Sequence, residues 1–122
     1  MAVVEIPRER WADELNVFTA THEGWLVSLD VFESDVDAQL EIDNLPLIGV
    51  SADRIDHDGA IAISVARSTT DHFTHIIRRV TRVYVERVHD GTTARLLVDS
   101  AGGTRTVLQL RAIASSARPT SN

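Results

Sequence analysis

The chain has no cysteine and no lysine, a single methionine and a single tyrosine, and no apolar run of membrane length. Without cysteine there is no disulfide, no thiolate nucleophile, no zinc ribbon and no iron–sulfur cluster. A reducing cytoplasm suits such a chain. No stretch approaches the roughly 20 apolar residues of a membrane span, and the opening MAVVEIPRER carries charge where a signal peptide needs an apolar core. The expectation is a soluble, cytoplasmic protein with no membrane partner. With lysine missing, all 12 basic residues are arginine, the pattern a high-GC codon supply produces, so arginine abundance alone is poor evidence for phosphate binding. Also missing are a G-x-S-x-G elbow, a phosphate-cradling glycine loop and a dinucleotide fingerprint. Ser51, Ser64 and Asp99 have no context that makes a catalytic triad, so no cofactor and no enzymatic activity are expected.

What is present fits one domain. A chain of 122 residues buries roughly two-thirds of the surface its unfolded form exposes and needs no staple. Residues 1–113 read as a single α+β domain, and residues 114–122, ending in SSARPTSN, as a disordered tail. Charge is unevenly spread: residues 1–60 carry a net −11 and residues 61–122 a net +5. Interleaving the halves in one sheet would neutralise them through cross-strand pairs.

Trp11, Leu15 and Phe18 recur at helical spacing, with Pro7 suited to the first helical position and Gly24 to the residue past the end. Trp11 belongs to a core stripe, and His22 in the last turn can bond the terminal carbonyls. From Trp25 the period drops to two. Trp25, Val27, Leu29 and Val31 alternate with Leu26, Ser28, Asp30 and Phe32, an acidic turn follows at 33–37, and residues 38–45 form a second strand. Pro46 cannot donate to a ladder and marks an edge, a bulge or a new segment. Asp58-Gly59, Asp90-Gly91 and Gly102-Gly103 separate further strands as hairpin turns. The fold class is α+β: an N-terminal helix packed on a strongly bent antiparallel sheet of six or seven strands, or a small open barrel of the SH3/Sm-like kind.

The stretch DHFTHIIRRVTRVYVERV does not fit one flat strand. Phe73 and Ile77 share a face and Ile76 takes the other, while Val83 and Val85 are in phase but Val80 and Val88 are not. An extra residue near Arg78–Val80, and another near Arg87, repairs the alternation. His72 and His75 with Asp71 imitate a metal-ligand spacing, but residues three apart point opposite ways on a strand, so no metal site is expected. DRIDHDG fails as a calcium loop, since aligning Gly59 with the loop glycine puts Arg54 and Val65 where carboxylates are required. The acidic residues Glu33, Asp35, Asp37, Glu41 and Asp43 read as a solvated face. Arg78, Arg79, Arg82 and Arg87 form a ribbon that could hold phosphates, but the net charge of −6 and the lone tyrosine argue against nucleic acid.

IPRERW, HEGWLVSL, LPLIGVSAD and DHFTHIIRRVTRVYV together resemble a family of short bacterial proteins known as a domain of unknown function. That family opens with an Ile-Pro-x-x-x-Trp helix, continues through a Gly-Trp-Leu-Val strand, and carries an Asp-His-x-x-His segment before a Thr-Arg-Val strand. The resemblance spans most of residues 6–111. It departs at Arg79-Val80, where the family pattern has Asn-Pro or a similar turn pair. It implies no activity, and it marks Asp71, His72 and His75 as a feature to test. The leading expectation is a non-enzymatic module working through a protein contact, most simply a homodimer formed by an edge strand or the charged ribbon. The alternatives are a small-ligand or metal binder near Asp71, His72 and His75, and a weak RNA binder using Arg78, Arg79, Arg82 and Arg87.

Overall fold

A computed structural model describes residues 2–33, 36–52, 59–87 and 91–113. The chain starts with strand β1 (Ala2–Ile6), turns through a 3-10 segment at Arg8–Arg10, and enters helix α1 (Trp11–His22). Seven strands follow: β2 (Leu26–Glu33), β3 (Val36–Ala52), β4 (Ile61–Ala66), β5 (His72–Ile77), β6 (Val80–Arg87), β7 (Thr93–Ser100) and β8 (Thr104–Arg111). All eight join one antiparallel sheet in the order β1-β6-β7-β8-β2-β3-β4-β5. The α+β class and the N-terminal helix agree with the sequence. The sheet, however, has one strand more than the six or seven expected, and it ends in two edges, β1 and β5, instead of closing into a barrel. The extra strand is β1. AVVEI is short and lacks an alternating pattern, so only its pairing with β6 reveals it.

Trp11, Leu15, Phe18 and His22 form the buried face of α1, as the helical spacing predicts. Each fully buried Leu or Phe here contributes roughly 1.5 to 3 kcal/mol. Pro7 precedes the 3-10 segment and does not begin the α-helix. At the other end His22 Nδ1 donates to the Phe18 carbonyl at 2.8 Å, and its ring packs on Phe18 and edge-on to Trp25. The helix packs on the sheet's inner face, which supplies Val27, Leu29, Val50, Ile61, Ile63, Val65, Val83, Leu96, Val98 and Leu108 to a common core.

The bend is made by β3. Its first part pairs with β2 as far as Pro46, and from Leu47 it pairs with β4. Asn44, with φ 55°, and a register shift between Leu47 and Gly49 turn the corner. Pro46 thus marks the place where the strand changes partner. Beyond Leu47, β2 no longer covers the near edge of β3, and α1 takes over: Thr19 Oγ1 donates to the Val50 carbonyl at 3.0 Å and accepts from the Val50 N–H at 2.9 Å. Gly49 permits this approach, since a Cβ there would lie 3.3 Å from Thr19 Cγ2.

A second corner lies at Arg78–Arg79, where Arg79 adopts φ 53° and the β6–β7 register shifts between Val80 and Arg82. That is the repair the apolar phase requires, and it turns Val80 into the core. No second shift occurs up to Arg87, so the irregularity expected there is absent from the described register. Residues 88–90, the acidic-turn residues 34–35, the 53–58 segment and the expected tail lie outside the described residues.

Candidate functional site

Strand β5 separates the histidines. Phe73, His75 and Ile77 turn toward the core, while His72, Thr74 and Ile76 face solvent. His72 and His75 therefore do not converge. Burial lowers the His75 pKa from its ordinary 6.5, and the negative charge of Glu41 opposes that shift. Glu41 was not associated with His75 by any sequence signal. Asp71 is exposed and works mainly through its backbone: its carbonyl accepts the N–H groups of Arg67 and Ser68 at 2.9 and 3.1 Å, closing the turn between β4 and β5. Its carboxylate lies 3.9 Å from Arg67. Among the described residues no group of three or more His, Asp or Glu side chains is arranged to hold a metal.

The arginine ribbon is divided as well. Arg78 and Arg79 sit exposed at the second corner. Arg82 lies on the outer sheet face, where its hydrogen bond to Tyr84 and then the charges of Tyr84, Glu5 and Asp99 hold its guanidinium above its ordinary range. The side chain of Arg87 lies outside the described residues.

Strand register organises the outer face into rows. Arg82, Asp99 and Arg105 stand side by side on β6, β7 and β8, with Phe32 of β2 next. Arg105 binds Asp99 through Nε at 2.6 Å and Nη2 at 2.9 Å, and this pair lowers the Asp99 pKa and raises that of Arg105. Its guanidinium also lies 5.9 Å from the Tyr84 ring. A parallel row holds Glu86, Arg95, Gln109 and Ser28, with Arg95 Nη1 3.2 Å from the buried Glu86 carboxylate. The pairs Arg10–Glu14, Arg67–Asp71, Arg95–Glu86 and Arg105–Asp99 each join partners from the same half of the chain. Across the halves, Glu5 and Glu41 act at longer range on Arg82 and His75. Arg95, Arg105 and Arg111 carried a signal only through even spacing: Arg95 and Asp99 lie four apart in β7, and Arg105 and Arg111 six apart in β8, which puts each pair on one face.

Both edge strands expose large apolar side chains. Along β1, Val3 and Val4 are 59% and 60% exposed, and the register with β6 runs without a bulge. Along β5, Ile76 is exposed.

The molecule is thus an open, bent antiparallel sheet closed on one face by a single helix. The chain belongs to the family described as "Family of unknown function (DUF5335)", which matches residues 2–119. An uncharacterized protein from Aquifex aeolicus (strain VF5) is 30% identical over 111 residues, covering 91% of this chain and 94% of that protein. No solved structure matches the chain. No described helix is long and apolar enough to cross a membrane.

Proposed function

We propose that this is a non-enzymatic cytoplasmic module that acts through protein contact, and that its simplest contact is a homodimer made by pairing β1 with β1 of a second copy. The observation that carries the reading is the state of β1: among the described residues nothing pairs with its outer edge, and two consecutive valines are more than half exposed. Edge strands in isolated domains are blunted by shortness, charge (lysine above all), proline or a bulge. β1 is short and carries Glu5, but it has no lysine, no proline and no bulge, and Pro7 falls just beyond it. An antiparallel pair centred on Val4 sets Val4 against its own copy and Val3 against Glu5, the self-complementary arrangement of a two-fold interface. The free backbone groups would then continue the ladder into a second sheet.

Light scattering and sedimentation of the full chain test this reading. A dimer that Val4→Lys or Val3→Glu converts to a folded monomer supports it, because Val4 faces its own copy and Val3 faces Glu5, so each change sets like charges opposite each other. A wild-type protein that is monomeric at every workable concentration overturns it. The separation of His72 from His75 leaves the metal reading without geometric support. The division of the arginines among a corner and a face row does the same for a continuous phosphate-binding ribbon.

A further inference from the structure

The outer face of the sheet holds a cleft of about 440 Å³ across β2, β8, β7 and β6, within the size range of small-molecule sites. It lies away from the histidines of β5, and on its β6 side Glu86 pairs with Val3 of β1. Two arginines line it. Arg95 is matched, its Nη1 lying 3.2 Å from the carboxylate of Glu86, a residue only 6% exposed. Arg111 is not matched: its Nη2 donates to the neutral Asn44 amide oxygen at 3.0 Å, and no carboxylate among the described residues pairs with it.

Arg111 is anchored through Asn44. Asn44 holds a left-handed backbone, φ 55°, and its N–H donates to Ser28 Oγ at 3.3 Å. Asparagine is one of the few residues that tolerates this conformation, and here it aims its amide oxygen at the guanidinium. Nη2 keeps a second N–H beyond the one given to Asn44, and together with the coplanar N–H of Nε or Nη1 on that side it leaves a planar fork, the geometry that receives a carboxylate through two parallel hydrogen bonds. Gln109 adds an exposed amide from the same strand, and Leu26 gives the cleft an apolar wall.

We infer that this cleft binds a small organic carboxylate, with Arg111 receiving the anion, Gln109 contributing a second polar contact and Leu26 packing against the ligand's apolar body. Glu86 neutralises Arg95, so the site carries one net positive charge and fits a monoanion.

The test is an NMR titration of the full chain with benzoate, benzamide as its neutral counterpart, and phenyl phosphate. Saturable shifts of the Thr93, Gln109 and Arg111 amides with benzoate, not reproduced by benzamide, are expected. Arg111→Gln should weaken benzoate binding by about tenfold or more, the usual loss for a charge-assisted hydrogen bond. Arg105→Gln, on the same face outside the cleft, should leave it unchanged. The absence of saturable shifts, equal shifts with benzamide, equal loss in both variants, or tighter binding of phenyl phosphate would each overturn the assignment.

Discussion

Replacing Thr19 by valine keeps nearly the same shape and removes one hydroxyl, and the fold assigns that hydroxyl a task no other group performs. Val50 lies opposite Ile63 in the β3–β4 ladder but turns its N–H and C=O toward Thr19. In the Thr19→Val protein both groups lose their partner, and Val50, 2% exposed as a whole residue, leaves little room for water to replace it. An unsatisfied buried backbone group costs about 1 to 3 kcal/mol. Because the bonds are part-buried and the carbonyl tolerates under-satisfaction better than the N–H, the sum should be about 2 to 4 kcal/mol. That is a large share of the roughly 5 to 15 kcal/mol that holds a domain of this size together. Urea denaturation of wild type and variant gives the difference, and amide exchange at Val50 should accelerate ahead of exchange in the β7–β8 ladder. Thr19→Ser, which keeps the oxygen, should recover most of the loss. A Thr19→Val protein within about 0.5 kcal/mol of wild type, inside the range of ordinary surface substitutions, would refute the view that α1 completes the edge of β3.

Two further outcomes follow from the corners and the strand faces. Arg79 holds φ 53° while its side chain is exposed, so Arg79→Asn should stabilise the fold by about 0.5 to 1 kcal/mol by easing a left-handed conformation; a loss of stability in urea would contradict that account of the corner. His75 has a pKa lowered chiefly by burial, so the unfolded chain takes up its proton more readily. The stability tied to its neutral form is present above pH 6.5 and is lost as the pH falls through the lowered value. NMR titration should place its midpoint below 6.5, and His75→Gln should flatten this part of the stability profile; a midpoint at or above the ordinary value contradicts the placement of the ring.

Local patterns carried much of this structure and long-range pairings carried the rest. The stripe of Trp11, Leu15 and Phe18 was legible because a helix repeats within one segment, and the bend at Arg78–Val80 because an interrupted alternation leaves a phase error. β1 was not legible, since AVVEI becomes a strand through its partner β6 rather than through its own pattern. The same holds for the outer face. Arg82, Asp99 and Arg105 form one row only after β6, β7 and β8 are aligned, and the cleft around Arg111 depends on Asn44, which lies 67 residues away in the chain. The separation of His72 and His75 could be read directly, because strand geometry alone decides it.

The most direct test of the account is sedimentation velocity of the full chain over a concentration series, run beside Val4→Lys with both folds checked by circular dichroism. The account predicts a wild-type dimer and a folded monomeric variant. A wild type that sediments as a monomer throughout, or a dimer that Val4→Lys and Val3→Glu leave intact, would contradict the claim that β1 is the contact edge.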